Sequence, residues 1–162
     1  MDWPIIPAAR NAGMIEFKAQ DPLYATRVRD SFDRQPAMAY IGANLSLIEP
    51  GRAEIELPYR PELTQQHGFF HGGITTMIAD SAAGYAAYST FPAGSSVLTV
   101  EFKMSLVAPA KGDRLVARAM VIKPGRTLTL CDVEVHACQG DKRTLCLKGL
   151  ETLICLKDRE DR

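Results

Sequence analysis

The chain has no excess of either charge: across its 162 residues, 19 lysines and arginines balance 19 aspartates and glutamates, and no long run of one sign appears. Nucleic acid and anionic membranes are gripped by basic stripes, so neither is expected as a partner; a small molecule or a second copy of the chain is. Metal-ligand spacing is also missing. His67, His71 and His136 form no HExxH arrangement, and Cys131, Cys138, Cys146 and Cys155 fall inside strand-like runs with neither zinc-site pairing nor a disulfide framework. No metal and no cofactor is expected, and the thiols read as buried, reduced, small apolar residues. A bilayer-spanning apolar run is absent too. Residues 74–91 come nearest in length but include Thr75, Thr76, Asp80, Ser81, Ser89 and Thr90. The opening Met1-Asp2-Trp3-Pro4 puts an acid where a signal peptide needs bases, so the expected location is cytoplasmic.

The most telling scarcity is local. Between Glu62 and Glu101 the only formal charge is Asp80, set in an apolar, small-residue stretch that follows His71-Gly72-Gly73. An unpaired carboxylate in such surroundings costs several kcal/mol or more, so the group must be hydrogen-bonded, protonated, or placed where its charge is used. Asp80 is therefore the first candidate for chemistry.

The length suits one compact domain. Residues 36–157 read as that domain, 1–35 as an N-terminal extension and 158–162 as a charged tail. In the extension, residues 23–34 read as a helix with Asp21 as its N-cap and Pro22 at its first position. A short turn follows at 36–41. Residues 44–49 and 52–57 flank Pro50-Gly51 and read as a hairpin, Ile55 and Leu57 inward and Glu54 and Glu56 outward. From Gly72 to about Tyr88 the pattern is one long buried helix whose alanines keep much of its surface slim. Four strand-like runs come next, near 96–107, 113–123, 127–138 and 144–156, separated by clear turn signals. A single apolar helix among hairpins must be covered by their sheet. The expected fold is α+β, a curved, mainly antiparallel six-stranded sheet wrapped around one central helix, the hotdog layout. Its long edge strands would be protected by a dimer with a continuous sheet.

Gln65 stands six residues before His71-Gly72-Gly73, and Asp80 nine after His71. With Thr99-Val100-Glu101-Phe102, Ala108-Pro109-Ala110-Lys111-Gly112-Asp113 and Lys123-Pro124-Gly125-Arg126-Thr127, this pattern resembles the PaaI-type branch of hotdog-fold acyl-CoA thioesterases over about residues 40–156. The resemblance implies hydrolysis of an acyl- or aryl-CoA thioester. It assigns the oxyanion donor to the Gly72 N–H, close substrate approach to Gly73, and loop orientation or carbonyl polarisation to His71. Gln65 would bind the carbonyl or place water, Thr99 would hold the water, and Lys123 and Arg126 would meet the phosphates of coenzyme A. Asp80 would serve as nucleophile or general base, a choice left open at this level.

These residue types suit the reaction. A thioester carbonyl under attack gains negative charge on oxygen, and a backbone N–H at a helix N-terminus is aligned to stabilise it. Gly72 and Asp80, at the two ends of nine helical residues, stand roughly 12 Å apart at 1.5 Å per residue, too far to meet at one carbonyl. The resemblance accordingly implies a homodimer with sites shared between subunits, and a homotetramer built from it. A hydratase or dehydratase acting on acyl thioesters, with His67 or His71 and Asp80 as its acid–base pair, is the rival enzyme reading. A non-catalytic acyl-CoA-binding module is the rival outside catalysis.

Overall fold

The computed structural model describes residues 17–159 and 161; residues 1–16 of the expected extension and positions 160 and 162 of the expected tail lie outside the described residues. Helix α1 spans Tyr24–Asp33, with Leu23 rather than Asp21 at its N-cap. Asp21 is drawn into other bonds. Its Oδ1 accepts from the Leu23 N–H at 2.9 Å, its carbonyl accepts from Tyr24, and its Oδ2 pairs with Arg27, so Asp21 through Tyr24 form a turn ahead of the helix. Val28 and Phe32 of α1 join the main core. Helix α2, Pro36–Ile41, stops at Gly42, whose φ of 78° takes the left-handed cap.

Strands β1 (Asn44–Glu49) and β2 (Arg52–Pro58) form the expected hairpin, with Ala53, Ile55 and Leu57 buried in alternation. After a 3-10 turn at Pro61–Leu63, helix α3 runs from Gly72 to Tyr88. Strands β3 (Ser96–Leu106), β4 (Arg114–Lys123), β5 (Leu128–Gln139) and β6 (Lys142–Leu156) complete a six-stranded sheet. Every pairing is antiparallel, in the order β1-β2-β4-β5-β6-β3. β3 therefore pairs with β6, and its sequence neighbour β4 pairs with β2 and β5. α3 touches all six strands. Ile78, Ala79, Ala82, Ala83, Ala86 and Ala87 have no exposed surface, and their small side chains let the sheet close around the helix backbone. Burying Ile78 alone stabilises the fold by about 1.5–3 kcal/mol.

Two features of β3 matter for the site. Its pairing with β6 shifts between Thr99 and Glu101, a bulge that places both Thr99 and Phe102, three residues apart, opposite the buried Leu153 and Glu151. Its other edge has no strand partner among the described residues, and Leu98, Val100, Phe102 and Leu106 along it are about half exposed. The four cysteines are buried and free. No helix among the described residues is long and apolar enough to cross a membrane.

Candidate active site

The start of α3 is built by a tight loop. Gln65 and Phe69 close it through the Gln65 N–H to the Phe69 carbonyl, and the Gln65 side-chain oxygen accepts from the His67 N–H at 2.7 Å. The His71 N–H donates to the Leu63 carbonyl, which fixes the entry into the helix. His71 is the N-cap: its Nδ1 accepts from the Gly73 N–H at 2.9 Å, so the ring carries any neutral-form proton on Nε2. The Gly72 N–H, at the first helical position, has no acceptor among the described residues. This donor lies at the positive end of the helix dipole and is unengaged, which is what anion stabilisation requires. A Cβ at Gly72 would come within 2.8 Å of Leu106 Cδ1, so glycine also keeps this corner open.

A second cluster lies further along the same helix. Thr99 on β3 donates its hydroxyl to Asp80 Oδ1 at 2.7 Å, and the Thr99 hydroxyl oxygen lies 3.0 Å from Glu151 Oε1 on β6. Glu151 is only 1% exposed, and its Oε2 has no partner among the described residues. Burial first, and then the neighbouring Asp80, push the Glu151 carboxyl up to about 9. No lysine or arginine among the described residues pairs with either carboxyl.

Asp80 opens onto a cavity of about 230 Å³ whose wall includes Thr99, Leu98, Tyr85, Ser31 and Gln35. Ser31, on α1, and Gln35, just beyond it, fall within residues 1–35, the expected N-terminal extension, to which the sequence assigns no role. α1 is held against the end of α3 by Arg27, which donates to the carbonyls of Pro92 at 3.0 Å and Phe91 at 2.9 Å and covers the Tyr88 ring at 4.3 Å. The same guanidinium meets Asp21 at 2.9 Å as an ion pair without hydrogen-bond alignment. Tyr88, Phe70 and Tyr85 are buried in the core, and of the three only Tyr85 also borders this cavity.

The expected site residues thus fall into separate groups within one chain. Asp80 and Thr99 are together; His71, Gly72, Gly73 and Gln65 gather at the helix start, roughly 12 Å of helix rise away. Lys123 and Arg126 are exposed at the β4–β5 hairpin and make no ion pair among the described residues. Glu151 was not anticipated. It shares the inward face of β6 with Leu147 and Leu153, a parity that the apolar Leu150 and Ile154 on the other face hide in the sequence. Among the described residues no group of three His, Cys, Asp or Glu side chains is placed to hold a metal ion.

Comparison with known proteins gives a consistent picture. The family model of the Thioesterase superfamily matches residues 67–144. A thioesterase family protein from Silicibacter pomeroyi, whose crystal structure is known, is 47% identical, with a TM-score of 0.81 over 83% of this chain and 98% of that one. Human acyl-coenzyme A thioesterase 13 is 31% identical over 87 residues, 53% of this chain and 61% of the relative. The Escherichia coli PaaI protein, from the phenylacetic acid degradation operon, shares the fold with a TM-score of 0.73 at 18% identity, over 81% of this chain and 91% of that one.

Proposed function

Because the chain belongs to the thioesterase superfamily and is a thioester hydrolase, we propose that it cleaves an acyl- or aryl-CoA thioester to a carboxylic acid and free coenzyme A, with Asp80 as general base. The observation that carries this reading is the bond between Asp80 and Thr99 at the wall of a cavity. Thr99 occupies Oδ1 and leaves Oδ2 to take a proton from water. The water oxygen bonds to the thioester carbon, the carbon–sulfur bond breaks, and the departing sulfur receives the proton from Asp80. Charge on the carbonyl oxygen is met by the Gly72 N–H, a donor that is worth about 10²–10³ in turnover. His71 holds the loop through Gly73, and the Gln65 amide NH₂, whose oxygen is already engaged, binds carbonyl or water. Lys123 and Arg126 attract the coenzyme A phosphates, and Gly73 admits the substrate to the helix start.

One chain does not bring Asp80 and Gly72 to a common carbonyl, so the working site takes Asp80 from one subunit and Gly72 from another. The exposed β3 edge supports a homodimer joined there, since it offers unpaired backbone groups together with Val100, Phe102 and Leu106. Pairing of such dimers would give the homotetramer. The test is release of free thiol from a panel of acyl- and aryl-CoA thioesters. Turnover of at least one member, lost in Asp80→Ala, is expected; no turnover on any member, or full activity in Asp80→Ala, overturns the reading.

A further inference from the structure

Thr99 has one hydroxyl hydrogen and two carboxyl oxygens within 3.0 Å. A single proton does not satisfy both. If Asp80 and Glu151 were each ionised, two like charges would share one donor, with Glu151 buried and its second oxygen without any donor among the described residues. One carboxyl proton removes the conflict. It converts an acceptor into a donor, so that the acid bonds the neighbouring carboxylate and the single Thr99 hydrogen is left to Asp80. Burial decides which group keeps the proton: Glu151 is sealed between α3 and the sheet, whereas Asp80 borders the cavity.

We propose that Glu151 is a positioning residue for hydrolysis: as a neutral carboxylic acid it donates a hydrogen bond to Asp80, holding that carboxylate in place beside Thr99, and ionisation of Glu151 ends the arrangement. This rests on the reading that Asp80 performs the proton transfer. Glu151 itself keeps its proton throughout the reaction and touches neither substrate nor water.

The surroundings support a neutral Glu151. Asp80 faces it from α3 and the Cys131 thiol from β5, while β3 presents Thr99 and Phe102, neither of which titrates. Beyond Asp80 the cavity adds Tyr85 and Asp161, the latter paired with Arg34 at 3.2 Å. No cation bonds the pair among the described residues, and burial together with Asp80 raises the Glu151 carboxyl to about 9. The Cys131 thiol is pushed far up by burial and then by Glu151 itself, so it stays neutral too.

The experiment joins two readouts on the full chain. Infrared spectroscopy of the resting protein at neutral pH is expected to show a protonated-carboxyl band that disappears as the pH is raised through the alkaline range and is absent from Glu151→Gln; absence of the band in the unaltered protein overturns the proposal. The pH profile of kcat/KM is expected to fall on the alkaline side with the loss of that band. Glu151→Gln keeps shape and donor without titrating, and should retain activity within several-fold while losing that alkaline fall. Glu151→Leu should lower kcat by about 10–100-fold at little change in KM, the loss expected when a hydrogen bond to a charged group is removed. An Asp80→Asn variant separates the two ideas. If it is inactive while Glu151→Gln keeps the unaltered pH profile, the Glu151 proposal alone falls; if Asp80→Asn is fully active, the reading of Asp80 falls, and the proposal with it.

Discussion

Asp80 and Thr99 come from different elements, α3 and β3, and are joined by a 2.7 Å hydrogen bond in which the hydroxyl donates to the carboxylate. The bulge in β3 makes this possible, since it alone lets Thr99 and Phe102 both lie opposite inward residues of β6. Helix and sheet edge are thereby registered at the point where the chemistry is assigned.

Thr99→Val keeps the shape of the side chain and removes that bond. A hydrogen bond to a charged group is worth about 1.5–3 kcal/mol, so kcat/KM should fall about 10–100-fold, while Thr99→Ser should stay within several-fold. Thiol-release kinetics on the best substrate of the panel decide between these outcomes, and equal loss in both variants would deny the hydroxyl its role.

Gly72→Pro isolates the oxyanion donor. Proline is favoured at the first helical position, where it removes only an N–H that has no acceptor among the described residues. His71, at φ −64° and ψ 138°, already has the extended backbone that a residue before proline requires. The new ring displaces the tip of Leu106, which is 59% exposed and free to turn. Near-native melting with a loss of about 10²–10³ in kcat is expected, and unchanged kcat in a folded variant would remove Gly72 from the mechanism.

Arg27→Met tests how firmly α1 is tied to the end of α3. It strips three carbonyl bonds, one bond to the Ser95 hydroxyl and a cation from the end of α3 and the loop after it, and leaves Asp21 buried without its ion partner. A stability loss of about 2–4 kcal/mol in urea unfolding is expected from these combined terms. KM should rise as well, because Ser31 on α1 and Gln35 beyond it form part of the cavity wall.

Much of this fold is legible in the sequence because local signals agree. Pro50-Gly51 and Gln139-Gly140-Asp141 punctuate runs of alternating burial, and the alanines of 79–87 mark a helix meant to be closely covered. What was illegible is non-local. Nothing in residues 96–106 says that they pair with β6 rather than β4. The later start of α1 is a local matter: Asp21 closes a turn with Leu23 and Tyr24 and pairs with Arg27 of the helix itself. Glu151 escaped notice because its strand carries apolar residues on both faces: Leu147 and Leu153 point inward, but Leu150, 47% exposed, and Ile154 alternate with them, so parity alone did not show which way the carboxylate points. Asp80 stands out as the only charge between Glu62 and Glu101 and by its spacing from His71-Gly72-Gly73, and Thr99 through the family resemblance, neither by any contact that the sequence displays.

Glu151 should also leave its mark on stability. The unfolded carboxyl ionises near its ordinary 4.5, while the folded one holds its proton up to about 9, so between these values the unfolded state binds fewer protons. The stability that Glu151 contributes is complete below about pH 4.5 and is lost as the pH rises to about 9, at up to about 1.4 kcal/mol per pH unit. Urea unfolding of Glu151→Gln beside the unaltered protein should show the variant gaining relative stability steadily from acid to alkaline pH. A difference that stays flat with pH would mean that Glu151 is ionised in the folded chain.

The central claim, a site shared between subunits, is tested most directly by a purified heterodimer of one Asp80→Asn chain and one Gly72→Pro chain carrying different affinity tags. Each homodimer should be inactive. In the heterodimer one site combines an intact Asp80 with an intact Gly72 from the other chain, so about half the unaltered activity per dimer is predicted. A folded heterodimer as inactive as its parents would contradict the account.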